Sequence, residues 1–346
     1  MRLLTAVTAA CALGLAACGN EGPAGGDERP VTVVATTTQA ADLASKVGGD
    51  RATVRALIPA GADPHGYEVR PSDIEALADA DLIVRSGGDL DEWLADAIES
   101  AGGDAPVLNL MDHVETREGG HDHGHEEEGA HAEEEGHAEG EGAHAEEEGA
   151  HAEEEGAAHG DDVDPHWWHD PRNGVRAAAA LREALAAADP EGATHYEEQG
   201  RAYEERLEAL DAAIAACWED VPEPRRRLVT THDSLGYYAD RYGLEVVGAV
   251  IPSTSSQGQA SAGAVDELVR TIRRERVPAI FTETSLNARV ERAIADEAGA
   301  RVGDPLYADS LAHEGEAATY TGALAANTRA LVDGLSGGEA GCSLPE

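Results

Sequence analysis

Three histidines and one aspartate sit where a metal ion could be held. His65 lies in "IPAGADPHGYEVRPSD", His166 in "DVDPHWWHDP", His232 in "LVTTHDS" and Asp309 in "GDPLYADSL". Pro64 precedes His65, Pro165 precedes His166, and Pro305 lies ahead of Asp309. Proline narrows the backbone freedom that fixing a ligand would remove. Three imidazole nitrogens and one carboxylate suit a tetrahedral borderline cation. Zn2+ fits best, and Mn2+ would want more oxygen. A single histidine is more often structural than ligating, so the case rests on the four groups together. His169 reads as a residue behind the site or a packing residue, with direct ligation as the alternative, and Glu283 could back the site, because a ligating imidazole commonly hands its second N–H to a carboxylate. Glu283 reads equally well as a solvated loop residue, and Asp233 and Glu68 share that status. Trp167 and Trp168 suit a cleft wall, whereas His113, His195 and His313 read as surface residues.

For the four groups to meet, distant segments must converge. "PVTVVAT", "RATVRALIP", "DLIVRSG" and "PVLNLMD" read as strands that alternate with helical stretches such as "TQAADLASKVGG" and "RPSDIEALADA". Ser72 is the expected N-cap of the second helix. The pattern returns with "RRLVTTH", "LEVVGAV", "PAIFTE" and "ARVGD" as strands. Such alternation means parallel crossover units. The expected fold is α/β, with two Rossmann-like lobes that each carry a parallel four-stranded sheet. Residues 190–222 have no internal proline and place Tyr196, Tyr203, Leu207, Leu210, Ile214 and Cys217 at three- and four-residue steps. That predicts one long amphipathic helix joining a lobe of residues 30–189 to a lobe of residues 223–346. Ligands of parallel sheets collect beyond the carboxyl ends of the strands, so the metal cleft is expected between the lobes.

Residues 115–162 interrupt the first lobe. "GAHAEEE" begins at positions 129, 142 and 149, with no apolar seam and with glycine in every unit. Such a segment is expected to lack a fold of its own. Its histidines are His121, His123, His125, His131, His137, His144, His151 and His159. Ordering a floppy chain costs about 1–2 kcal/mol per residue, so these should form weak, interchangeable zinc sites. A charged spacer with no role is the alternative reading. Roughly twenty acidic residues of this stretch contribute to a net charge of -43, which excludes nucleic-acid binding through phosphate contacts.

The first residues, "MRLLTAVTAACALGLAACGN", carry Arg2 ahead of a short apolar run that is too brief to span a bilayer. Leu15 to Gly19 resembles a bacterial lipobox. It implies a signal peptide of residues 1–17, a lipid on Cys18 and a polar tether over 18–29. The mature chain is then expected outside the cytoplasm, anchored to the cell membrane as a lipoprotein. A plain secretory signal is the alternative. Cys217 and Cys342 remain, and in an oxidising compartment they are expected to pair, two free thiols being the alternative.

Taken together, "DPHGYEVRPSD", "DPHWWHDPRN", "THDSLGYYADRYGL" and "GDPLYADSL" resemble the signature segments of the metal-binding solute-binding proteins of ABC importers, the cluster A-I family, in its zinc branch. The resemblance runs from about residue 30 to 335. It implies that His65, His166, His232 and Asp309 are the metal ligands. The manganese branch usually has Glu where His232 stands, so the resemblance implies Zn2+ over Mn2+. It further implies a binding protein, not an enzyme, and as partners a permease with its ATPase; a monomer is expected. Two other functions remain on the residues alone. One is a mono-zinc hydrolase, although no His-Glu-x-x-His helix is present. The other is a surface metal buffer or adhesin without a transporter. Deleting residues 119–160 is expected to remove the weak sites and slow uptake at limiting zinc; unchanged stoichiometry and uptake would argue for a mere spacer.

Overall fold

The computed structural model describes residues 29–119 and 163–345. The expected signal peptide, Cys18 with nearly all of the tether, and the repeat histidines from His121 to His159 lie outside the described residues. The first lobe runs β1 (Val31–Ala35), α1 (Thr38–Gly48), β2 (Ala52–Ala56), α2 (Pro71–Ala78), β3 (Leu82–Arg85), α3 (Leu94–Ala101) and β4 (Val107–Asn109). Its four strands are all parallel, in the order β2-β1-β3-β4. Two helices follow, α4 (Pro171–Ala188) and α5 (Ala193–Glu219). The second lobe runs β5 (Arg227–His232), α6 (Gly236–Tyr242), β6 (Glu245–Ile251), α7 (Ala262–Glu275), β7 (Ala279–Ile280), α8 (Arg289–Ala298), β8 (Arg301–Val302) and α9 (Tyr320–Ser336). Its strands form the parallel pairs β5–β6 and β7–β8. The Phe281 N–H donates to Val229 O at 2.9 Å and ties the second pair to the first. Because β7 and β8 have only two residues each, their ladder is short.

The long helix α5 begins at Ala193, after a 3-10 turn at Pro190–Gly192, and ends at Glu219. At 1.5 Å per residue it is about 40 Å long. It does not span the gap alone. One apolar core runs through Leu43 and Val47 of α1, Leu181 and Leu185 of α4, Leu207 and Ile214 of α5, and Leu324 and Leu331 of α9, and continues to Phe281. The sequence reading contained neither α4 nor α9. Asp170 caps α4 by accepting the Arg172 N–H at 2.9 Å, with Pro171 in the first turn. Thr319 caps α9 through Gly322 N–H at 3.1 Å.

Two local expectations change. Ser72 is not the cap of α2. Pro71 takes the first helical position, which makes Arg70 the cap. The Asp73 carboxylate then accepts the Arg70 N–H at 2.9 Å. The insertion also begins later than residue 115. The Glu115 N–H donates to Asn173 Oδ1 at 3.0 Å, and Glu118 pairs with Val163 in an antiparallel bridge, so residues 115–118 belong to the folded lobe.

Cys217, near the end of α5, is bonded to Cys342 in the C-terminal tail, with Cα atoms 5.0 Å apart across 125 residues of sequence. No helix among the described residues is long and apolar enough to cross a membrane. Closing so long a loop restricts the unfolded chain, so replacing both cysteines with serine is expected to cost about 2–4 kcal/mol of stability. Denaturant titration of the two proteins measures it.

Candidate metal centre

Each of the four groups is delivered by a short braced segment at the end of a strand or turn. His65 sits in a 3-10 turn, Pro64–Gly66, past β2. The Asp63 Oδ1 accepts the His65 N–H at 3.0 Å, an Asx turn that fixes the ring's starting point. His166 repeats the arrangement, with Asp164 Oδ1 accepting its N–H at 3.0 Å. The two tryptophans after it are buried and pinned. Trp167 donates through Nε1 to Ser86 O at 3.1 Å, and Trp168 to Ala308 O at 2.9 Å. His232 is the last residue of β5, paired with Ile251 of β6. Asp309 lies in a segment held at both sides: Tyr307 N–H donates to Asn327 Oδ1 at 2.8 Å and Leu311 N–H to Thr38 Oγ1 at 3.0 Å.

These segments bring His65, His166, His232 and Asp309 together, with one ligand atom of each within 4.8 Å of all the others. His166 Nε2 lies 3.3 Å from Asp309 Oδ1 and His232 Nε2 lies 3.4 Å from Asp309 Oδ2. The two Nε2 atoms are 3.3 Å apart. A tetrahedral ion with bonds of about 2.0–2.1 Å sets its donors about 3.3 Å apart, so these spacings suit it. His65 Nε2 stands farther out, 3.9 Å from Asp309 Oδ2. The side chains of His166, His232 and Asp309 are fully buried. Among the described residues neither oxygen of Asp309, nor His65 Nε2, makes a hydrogen bond of good geometry, and the carboxylate meets the imidazoles as ion-pair contacts. A buried carboxylate that faces three imidazoles has the donor set that suits a cation.

The imidazoles differ in what stands behind them. His166 Nδ1–H donates to Asp164 Oδ1 at 2.7 Å, and Asp164 Oδ2 accepts from Arg117 Nη1 at 2.8 Å. His232 Nδ1–H donates to Glu283, whose oxygens lie 2.9 and 2.8 Å away, and Glu283 Oε1 also takes the His232 backbone N–H at 3.1 Å. Both bonds fix the tautomer that turns Nε2 to the centre. Burial would lower His166, but the carboxylates of Asp164 and Asp309 overrule it and hold the group up at about 10. Burial likewise opposes the charged form of His232, and Asp309 and Glu283 raise it. For His65 burial wins, pushing the ring down to about 3 against the pull of Asp309. The same desolvation works against the Asp309 anion, yet His232 and His166 hold its carboxyl below the usual range. Burial holds Glu283 above the usual range despite His232.

The remaining sequence candidates separate clearly. Glu283 stands against His232. His169 is buried and lies outside the four-group cluster, and among the described residues no carboxylate takes a hydrogen bond from its ring. Burial pushes its ring down to about 3. It lines a small cavity behind Trp168, with Gln39, Tyr307 and Asn327. Asp233 is buried and its N–H donates to Ser253 O at 3.0 Å, whereas Glu68 is exposed. His113 and His313 are exposed, and His195 is half-buried with Nε2 3.1 Å from Gly48 O. The sequence reading missed Asp164 and Arg117. The signal was the repeated Asp-Pro-His at 63–65 and 164–166. The Arg117 guanidinium passes where a Cβ on Gly236 would sit 1.8 Å from Nη1, so glycine at that position admits it.

Comparison with known proteins gives the family and the fold. Residues 33–334 match the family described as zinc-uptake complex component A, periplasmic (ZnuA). The metal ABC transporter substrate-binding lipoprotein FimA of Streptococcus parasanguinis is 28% identical over 336 residues, 96% of this chain and 97% of its own. The manganese-binding lipoprotein MntA of Halalkalibacterium halodurans is 26% identical over 327 residues, 94% and 95% of the two chains. In fold, the chain is similar to the periplasmic zinc binding protein TroA of Treponema pallidum, with a TM-score of 0.71, 24% identity and coverage of 89% and 99%. It is also similar to the Mn-bound periplasmic metal binding protein of Candidatus Liberibacter asiaticus, with a TM-score of 0.69, 22% identity and coverage of 88% and 99%. With so much of its length matched, this chain belongs to the ZnuA family of metal-binding, substrate-binding proteins of ABC transporters, which are not enzymes.

Proposed function

We propose that this chain captures Zn2+ outside the cytoplasm and delivers it to the permease of an ABC importer, held at the membrane by a lipid on Cys18. The observation that carries the reading is the convergence of three imidazole Nε2 atoms on the Asp309 carboxylate, whose oxygens accept no well-formed hydrogen bond among the described residues. His65, His166, His232 and Asp309 act as the ligands. Three nitrogens to one carboxylate favour zinc over an ion that prefers oxygen. Asp164 and Glu283 hold two of the rings in the binding tautomer. The domain division at residues 30–189, 190–222 and 223–346 places ligands on both lobes. The His-rich segment collects zinc weakly near this tighter site. Manganese is the second reading, favoured by the name of the Halalkalibacterium halodurans relative.

Metal analysis of the chain purified without chelator decides between them. After buffer exchange that strips the weak His-rich sites, one tightly held equivalent of zinc is expected, and none in His232→Ala; one equivalent of manganese, with no zinc, would refute the first reading. Glu283→Gln is expected to keep the site but weaken zinc about 10–100-fold, read by competition with a chromophoric chelator.

A second outcome follows from charge. His166 without metal is held up at about 10, so at pH 7 it carries a proton that a ligand cannot keep. Zinc binding is therefore expected to release at least one proton. Affinity then falls as pH falls from 8 to 6, by up to about tenfold per unit for each proton displaced. Calorimetry in buffers of different ionisation heat counts the protons, and a count of zero would remove His166 from the ligand set.

A further inference from the structure

The two Asp-Pro-His turns are built alike but end differently. In both, the aspartate's Oδ1 accepts the histidine's backbone N–H at 3.0 Å. Asp164 also takes the ring of its own histidine. Asp63 instead reaches across the cleft. Its Oδ2 accepts the Ser256 Oγ–H at 2.7 Å and the Gln257 Nε2–H at 3.2 Å.

Ser256 and Gln257 belong to a strap that leaves the end of β6. The strap is braced within itself: Ser255 N–H donates to Ser253 Oγ at 3.0 Å, Gln257 N–H to Ser255 Oγ at 3.3 Å and Gly258 N–H to Ser255 O at 3.3 Å. At its root, Ser253 O accepts the N–H of Asp233, the residue after His232. At its far end it lies so close to the His65 turn that a Cβ on Gly66 would meet Gln257 Nε2 at 2.9 Å. Ser256 itself is buried. On its other side the His65 turn is held by Gly61 N–H, which reaches Ser310 Oγ at 2.7 Å and Leu311 O at 3.2 Å, just past Asp309.

We infer that Asp63, Ser256 and Gln257 form a latch that holds His65 over the bound ion and sets how fast the ion leaves. The inference rests on the metal-delivery reading above. His65 is the outlying donor of the four, and it belongs to the lobe opposite His232 and Asp309. Hydrogen bonds to a carboxylate are strong and directional, and two of them here connect the lobes at one side chain. Opening them loosens one side of a single turn, which stays tied at Gly61, and leaves the other three donors in place. A contact of this kind governs residence time more than encounter. Asp63, Ser256 and Gln257 are positioning residues; none of them touches the ion.

The test uses the full chain and its Ser256→Ala/Gln257→Ala and Ser256→Thr/Gln257→Ala variants, each loaded with zinc. Release is followed by stopped flow against excess chromophoric chelator, and loading is followed separately. The alanine pair is expected to release zinc about tenfold faster or more, with the loading rate changed less than about threefold. Its Co2+ spectrum is expected to match the parent's, because the four ligands remain. The threonine variant keeps the hydroxyl and is expected to recover most of the slow release. Release within about twofold of the parent, or equally fast release from both variants, would overturn the latch. A parent chain that takes up no ion would instead overturn the metal reading, and the latch with it.

Discussion

The structure is organised around a buried aspartate that faces three imidazoles. Asp309 is buried, and among the described residues neither of its oxygens accepts a hydrogen bond of good geometry. Removing an ionised carboxylate from water costs several kcal/mol even after the surroundings relax. The chain offsets that cost by aiming three imidazole Nε2 atoms at it, at 3.3, 3.4 and 3.9 Å. The arrangement asks for positive charge, supplied by protons or by a metal ion. The same constraint explains the second carboxylates. Asp164 and Glu283 sit on the far nitrogens of His166 and His232, where they keep Nε2 facing inward and compensate positive charge inside a dry space.

Two of the rings are therefore locked from behind, and the third is not. His166 is backed by a chain of charge running from Asp164 to Arg117 and on to Asp240 at 2.9 Å, near the surface. His232 is backed by Glu283, which is bridged into the β-structure opposite Leu306. Behind His65 no carboxylate holds the ring as these do, and its turn is fastened only through backbone and across the cleft. Burial keeps that ring neutral, so it presents a lone pair without first losing a proton. The cluster thus combines a stiff, charged part with one neutral imidazole on a turn tied across the cleft.

Much of this was readable in the sequence, for reasons that differ by element. The strands announce themselves through β-branched runs such as "VTVVA", because a parallel sheet is buried on both faces. His65, His232 and Asp309 stood out because they follow strands. Asp164 did not, because its role lies in a side chain folding back on its neighbour's ring, and spacing alone does not reveal that. The helix α4 was missed because its apolar face is largely alanine. Ala177, Ala178 and Ala180 are buried, but small residues leave a faint periodic signal. Arg117 was hidden by its place beside an acidic repeat, where it read as a lone counter-charge, yet it reaches two aspartates far along the chain.

The way the core is built decides how such a site can open. Were α5 the only connection, the lobes could swing about it. The apolar cluster instead passes without a break from α1 through α4 and α5 to α9, and reaches Phe281 inside the second lobe. Opening the lobes as rigid bodies would expose part of that cluster, at roughly 25 cal/mol for each Å2 of apolar surface. Every 100 Å2 so exposed costs about 2.5 kcal/mol on that scale. Lifting one turn breaks a few hydrogen bonds that water can replace, at about 0.5–1.5 kcal/mol each net, or up to about 3 where the partner is charged. The cheaper motion is the local one, and it falls on the one ligand whose ring has been left without a rear support.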